Sequence, residues 1–188
     1  MSHAGIKGLG MGNGGTIMQK AIVVVDMQND FIDGALGTRE AQEMLPRMVA
    51  KLSAARAEGT ALIFTMDTHG VDYLETQEGK RLPVEHCIRD TVGWEIAPAL
   101  QPFVREAAAV IEKPTFGATT LPATLADYDK IELVGLCTDI CVISNALLLK
   151  AFYPEKLISV DASCCAGVTP ESHANALAAM RMCQVEVR

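Results

Sequence analysis

Apolar positions along the chain switch between two repeats. Lys20 to Asp26 (KAIVVVD) is one continuous apolar run, as a parallel strand buried on both faces requires. Glu40 to Glu58 repeats with helical spacing and stops at Gly59. Thr60 to Met66, Ala107 to Glu112, Ile131 to Leu136, Leu157 to Val160 and Gln184 to Val187 read as five further strands. Between them, Leu121 to Tyr128 reads as a short helix. Asp139 to Phe152 reads as a longer one, with Thr138 or Asp139 available to cap it. Thr169-Pro170 opens a last helix that runs to about Met182. Residues 67–94 form a long connection without clear periodicity, and a connection of that length in a compact domain is usually functional.

This βαβ alternation predicts an α/β fold: three layers, α/β/α, around a mostly parallel, roughly six-stranded Rossmann-like sheet. Sites in such sheets lie beyond the carboxyl ends of the strands. The polar residues there are Asp26, Asp67, His69, Lys113, Thr138 to Cys141, and Asp161, which are expected to converge on one edge.

Composition narrows the picture. The chain has 188 residues, 49% hydrophobic, enough for one globular domain with a sizeable core. A net charge of −7 without a basic stripe argues against nucleic acid as a partner. No run reaches the roughly 20 apolar residues of a membrane-spanning helix, and no secretory pattern stands at the N-terminus. Residues 1–19 are glycine-rich and read as a flexible leader or cloning remnant, leaving 20–188 as a single domain. Gly8-Leu-Gly10-Met-Gly12 precedes the first strand instead of following one, so it is no dinucleotide-binding loop. The six cysteines include no CxxC pair and lie in apolar segments, which reads as free thiols in a reducing cytoplasm.

Two groups carry candidate chemistry. Cys141 stands at a strand-to-helix transition, where the helix dipole is expected to lower its pKa and backbone N–H groups are available to an oxyanion. Asp26 can exchange the thiol proton, and an ammonium at Lys113 can hold the anionic nucleophile. The second group is Asp67-Thr-His69, whose alternate residues point to one side and suit a divalent metal. Glu75, Glu78, Glu85 and His86 in the long connection are available as further ligands, while His173 reads as a surface or core-edge residue.

Four segments in order, VVVDMQNDF, TMDTH, EKPTFGA and LVGLCTDICV, resemble the nicotinamidase branch of the isochorismatase-like cysteine hydrolases. The resemblance runs from about Ala21 to the C-terminus. It implies the isochorismatase-like hydrolase fold and deamidation of nicotinamide to nicotinic acid and ammonia through a thioester, in NAD salvage. It puts the nucleophile on Cys141, the catalytic aspartate on Asp26 and the lysine on Lys113. The oxyanion hole falls on the N–H groups of Cys137 and Cys141, after a cis peptide at Leu136–Cys137. Metal ligands fall on Asp67, His69, His86 and Glu78, with zinc, iron or manganese as the ion. Phe31 matches an aromatic that packs on the substrate ring. Many members have a large aromatic where this chain has Pro83, so Tyr73, Trp94 or Phe116 is expected to supply a ring contact. The expected partners are a small-molecule amide and further copies of the chain, in a homo-oligomer. The alternatives are an N-carbamoyl or ureido amidohydrolase on the same fold, whose members generally lack the metal cluster, and a non-catalytic thiol or metal sensor.

Overall fold

Successive strand residues face opposite sides of a sheet, so a strand that is apolar throughout must be covered on both sides. The computed structural model, which describes residues 18–188, shows how this is met. The leader expected over 1–19 and its glycine motif lie almost wholly outside the described residues. The strands are β1 (Lys20–Val25), β2 (Ala61–Asp67), β3 (Ala109–Lys113), β4 (Lys130–Leu136), β5 (Leu157–Ala166) and β6 (Glu186–Val187). They form one sheet in the order β3-β2-β1-β4-β5-β6, parallel at every pairing. The helices are α1 (Asn29–Ile32), α2 (Arg39–Ala57), α3 (Gln77–Arg81), α4 (Gln101–Val104), α5 (Leu121–Thr124), α6 (Ile143–Phe152) and α7 (Pro170–Met182).

Alternation along β1 builds both cores. Ile22 and Val24 pack with Met44, Met48 and Leu52 of α2. Ala21, Val23 and Val25 face the other way, onto Leu121 of α5, Ala146 and Leu149 of α6 and Leu177 of α7. The order reverses between β1 and β4, which opens a crevice at their carboxyl ends, where α/β sheets bind ligands. Among the described residues, no helix is long and apolar enough to cross a membrane.

Three expectations are corrected. The connection 67–94 is not structureless: it holds a 3₁₀ turn at Tyr73–Glu75 and α3, whose N-terminus is capped by the Thr76 hydroxyl accepting from Gly79 N–H at 3.0 Å. Both elements are too short to show a period in sequence. The helix expected from Asp139 begins as one wide π-type turn, Thr138–Val142, closed by Val142 N–H donating to the Cys137 carbonyl. No side chain caps it, and Asp139 instead accepts from Val168 N–H at 3.2 Å. β5 runs past Val160 to Ala166, so Asp161 lies within a strand and not at the site edge. Its carboxylate is 2.7 Å from Lys51 Nζ, which is also 2.7 Å from Glu132.

The half-buried Lys51 thus ties α2 to β4 and β5. Burial opposes its charge, but the two carboxylates outweigh burial and raise its pKa. Asp161 is lowered: burial alone would raise it, and the Lys51 and Ser163 hydrogen bonds prevail. Lys51→Ala should cost about 1 kcal/mol by urea unfolding at pH 7, after discounting for solvent screening. A depressed folded pKa gives stability that is complete above the ordinary carboxylate value and lost as pH falls through the folded value. The penalty should therefore shrink below about pH 4. A penalty that is the same at pH 3 and pH 7 would contradict this account.

Candidate active site

The site is assembled from strand ends. Asp26 follows β1 in the left-handed region, at φ 47°. Its neighbour strand β4 passes so close that a Cβ on Gly135 would lie 2.1 Å from the Val25 carbonyl oxygen, and Gly135 itself has φ 119°. Only glycine satisfies both conditions. The Asp26 carboxylate is fully buried. Thr65 of β2 donates its hydroxyl to Oδ1 at 2.6 Å. Oδ2 lies 2.7 Å from Lys113 Nζ.

Lys113 ends β3 and is 1% exposed. Its ammonium donates to Asp67 Oδ1 at 3.2 Å, the Thr115 carbonyl at 3.0 Å and Cys141 Sγ at 3.4 Å. With Asp26 Oδ2 at 2.7 Å, these make four acceptors around three hydrogens. A carboxylate oxygen has two lone pairs, so Oδ2 can face Lys113 and still accept from another donor. Burial would neutralise this lysine, but the Asp26 and Asp67 carboxylates and the Cys141 sulfur beside it hold its pKa above the ordinary range.

Cys141 sits in the π-type turn, a kind of distortion common at functional sites, and is 3% exposed. The expected lowering of its pKa is overturned. Burial, then the Asp26 carboxylate, push the thiol well above its usual value, and Lys113 offsets only part of this. Burial raises Asp26 as well, against the pull of Lys113. The thiol and the Asp26 carboxyl group thus both stand within reach of the Lys113 ammonium, at 3.4 and 2.7 Å. The peptide Leu136–Cys137 is cis, and Cys137 and Cys141 both line the cavity above the thiol.

Asp67, His69, Glu78 and His86 offer four ligand atoms that all lie within 4.8 Å of one another. Asp67 Oδ2 is 3.1 Å from His69 Nε2 and 3.7 Å from His86 Nε2, and Glu78 Oε1 is 3.8 and 3.9 Å from the same two nitrogens. His86 Nδ1 donates to the Val84 carbonyl at 2.8 Å, which turns Nε2 into the cluster in the pattern typical of metal-ligating histidines. Burial would raise Asp67, but hydrogen bonds from His69 and His86 and the Lys113 charge lower it strongly. Three carboxylates, Asp26, Asp67 and Glu78, stand against one buried lysine, an excess of negative charge that a divalent cation would offset. Glu75 and Glu85 are exposed and stand outside the cluster.

A cavity of about 600 Å³ joins the two groups, lined by Phe31, Leu36, Leu82, Phe116 and Ile140 among others. Phe31 and Phe116 are therefore placed to meet a ligand. Tyr73 and Trp94 are not. Tyr73 is fully buried behind the cluster, with its ring 4.7 Å from that of His69 and 5.0 Å from that of His86, and it donates to the Leu82 carbonyl at 2.9 Å. Trp94 donates its indole N–H to the Thr68 hydroxyl at 2.9 Å, outside the cavity. His173 bonds the Thr138 hydroxyl at 2.8 Å and ligates nothing.

Sequence reasoning missed the residues that hold this arrangement. Gln28 accepts from Asp67 N–H at 2.7 Å and donates to the Asp67 and Trp94 carbonyls, both at 2.8 Å. Asn145 donates to the Cys141 carbonyl at 2.8 Å and the Phe116 carbonyl at 3.2 Å, and accepts from Ala118 N–H at 2.8 Å. Thr65 orients Asp26. Only the position of Thr65, two residues before Asp67 on the same strand, hinted at its direction.

Two measurements check this geometry. Alkylation of Cys141 by iodoacetamide, followed by peptide mass spectrometry, should be slow at pH 7 and rise only above the ordinary thiol pKa of about 8.5. A fast plateau below pH 7 would mean a resting thiolate. Glu78→Ala should weaken zinc binding by at least about 10-fold in a chelator competition, with Glu75→Ala and Glu85→Ala unchanged. Equal effects at the three positions would remove Glu78 from the cluster.

The family model of the isochorismatase domain matches residues 20–188. The chain is 26% identical to the nicotinamidase/pyrazinamidase of Mycobacterium tuberculosis over 185 residues, covering 89% of this chain and 97% of that protein. It is also 26% identical to a probable inactive nicotinamidase of Arabidopsis thaliana over 167 residues, covering 81% and 83%. The solved structure of the pyrazinamidase/nicotinamidase from Streptococcus mutans superimposes with a TM-score of 0.80 at 26% identity, covering 90% of this chain and all of that one. Relatives named for an activity and for its absence match about equally, so the functional argument rests on the site's own residues. With the family model spanning the whole sheet and every strand end described above, the chain belongs to the isochorismatase family.

Proposed function

We propose that this protein is an amide hydrolase that deamidates nicotinamide to nicotinic acid and ammonia. One observation carries the reading: the Cys141 thiol, 3.4 Å from a buried ammonium ion-paired with Asp26, opens into the same cavity as the Asp67, His69, Glu78 and His86 cluster. A thiol, a base and an ammonium without the cluster would fit a carbamoyl or ureido substrate equally well. The cluster favours a heteroaromatic amide. The relatives named as nicotinamidase/pyrazinamidase agree with this reading.

Asp67, His69, Glu78 and His86 would hold a divalent metal, zinc being the expected ion, which would supply a Lewis-acid anchor for a ring nitrogen. Phe31 and Phe116 bound the space for the ring. Asp26 Oδ2 takes the thiol proton, and Cys141 Sγ attacks the amide carbon. The new oxyanion accepts from the N–H groups of Cys137 and Cys141, where one such donor typically contributes about 2.7–4 kcal/mol. Asp26 then gives its proton to the departing nitrogen. The C–N bond breaks, ammonia leaves and a thioester remains. Water, losing a proton to Asp26, attacks the thioester, and the proton returns to sulfur as nicotinic acid leaves. Lys113 stays protonated throughout and holds the negative charge, whether it sits on oxygen or sulfur.

Ammonia release from nicotinamide by metal-replete protein should fall by at least about 1,000-fold in Cys141→Ala, with zinc content unchanged. Asp67→Ala should lose the metal and raise KM. Full activity in Cys141→Ala would sink the mechanism. Absence of turnover in the metal-replete parent would move the substrate to another small amide.

A further inference from the structure

The cavity is larger than a bare ring amide needs and carries one charged group that the mechanism does not use. Its volume, about 600 Å³, lies in the range of drug-sized ligands, roughly 300–1,000 Å³. Phe31, Leu82 and Phe116 account for an apolar body, and the metal cluster and Cys141 for the reacting end. Arg81, at the end of α3, remains.

Helical spacing puts Arg81 on the same face as Glu78, three residues earlier. That is the usual geometry for an ion pair, yet none forms. The Glu78 carboxylate turns to His69 and His86 instead. Among the described residues, Arg81 makes no ion pair and no side-chain hydrogen bond, and it is the sole cationic side chain lining the cavity. Lys113 lies beneath the cavity and is taken up by Asp26, Asp67, Thr115 and Cys141. Arg89, the nearest arginine in sequence, is neutralised by Glu112. A guanidinium presents a planar fork of donors that fits a carboxylate through two parallel bonds. The two carboxylates that line the cavity, Asp67 and Glu78, are turned to His69 and His86, which leaves that fork to a ligand.

We propose that Arg81 is a specificity residue, binding an anionic substituent, most simply a carboxylate, on the amide substrate. The preferred substrates are then heteroaromatic amides that also bear an acid group. This rests on reading the cavity as an amide-hydrolase site, but its central test does not need turnover.

The probes are 5-carbamoylnicotinic acid and its neutral methyl ester. Binding to metal-replete Cys141→Ala protein is measured by calorimetry. The acid should bind about tenfold more tightly than the ester, as a charge-assisted pair of hydrogen bonds allows, and the preference should weaken with added salt. Adding Arg81→Met should abolish the preference, and Arg81→Lys should restore part of it. Equal binding of acid and ester, no binding of the acid, or a preference that survives Arg81→Met would each overturn the proposal. Ammonia release by protein with Cys141 intact separates the two readings. Preference for the acid without release of ammonia from any amide leaves Arg81 standing and sinks amide hydrolysis. Release without preference sinks the Arg81 proposal alone.

Discussion

A single buried ammonium organises this molecule's functional edge. Taking Lys113 out of water costs several kcal/mol unless its charge and its hydrogens are both satisfied. The structure does this with groups from four parts of the chain: Asp26 after β1, Asp67 at the end of β2, Thr115 after β3 and Cys141 after β4. Parallel strands make the meeting feasible, because their carboxyl ends lie side by side and each need supply only one residue. The order β3-β2-β1-β4 sets the four segments side by side. Removing the Asp26 carboxylate would leave that charge poorly compensated in the core, so the arrangement constrains the strand ends as much as it serves them.

The distribution of buried polar side chains follows from the same demand. Asp26, Gln28, Thr65, Asp67, His69, His86, Lys113, Thr138 and Asn145 are buried and lie at or just beyond the carboxyl edge, whereas Ser159 is buried in β5 away from it. Elsewhere the core is apolar on both faces of the sheet. A fold concentrates costly groups in this way where chemistry needs them. Asn145 and Gln28 show how they are kept in place. Each bonds three backbone groups on segments far apart in sequence, so the turn bearing Cys141 and the strand end bearing Asp67 are braced against the loops that wall the cavity.

Much of this was legible in the chain because strand ends are. An apolar run that stops at an aspartate or a lysine says where a strand finishes and which polar side chain emerges first, and that places Asp26, Asp67 and Lys113. Residues known only by what they touch were not legible. Thr65, Gln28 and Asn145 are unremarkable polar residues until the partners across the sheet are known. Tyr73 and Trp94 misled for the complementary reason: an aromatic in a functional loop can face the ligand or support those that do, and residue type does not distinguish the two. Asp161 misled because β5 continues beyond a polar interruption, which Lys51 makes tolerable by pairing with the carboxylate. The Cys141 pKa was misjudged because a helix terminus acts through part of a charge, whereas complete burial beside Asp26 opposes a full one.

That raised pKa bears on how the site would work. A resting thiolate would place a second anion beside Asp26 in a buried space. A resting thiol places one, and transfer of its proton to Asp26 merely moves the charge from oxygen to sulfur. Both atoms are within reach of the same ammonium, at 2.7 and 3.4 Å. The net charge around Lys113 is then the same before and after the nucleophile forms, so little reorganisation of the surroundings accompanies the step. Preorganised surroundings of this kind stabilise a developing charge far better than water does. A lysine that never releases its proton is the fixed point of such a cycle, which explains why it is held by so many partners and so deeply.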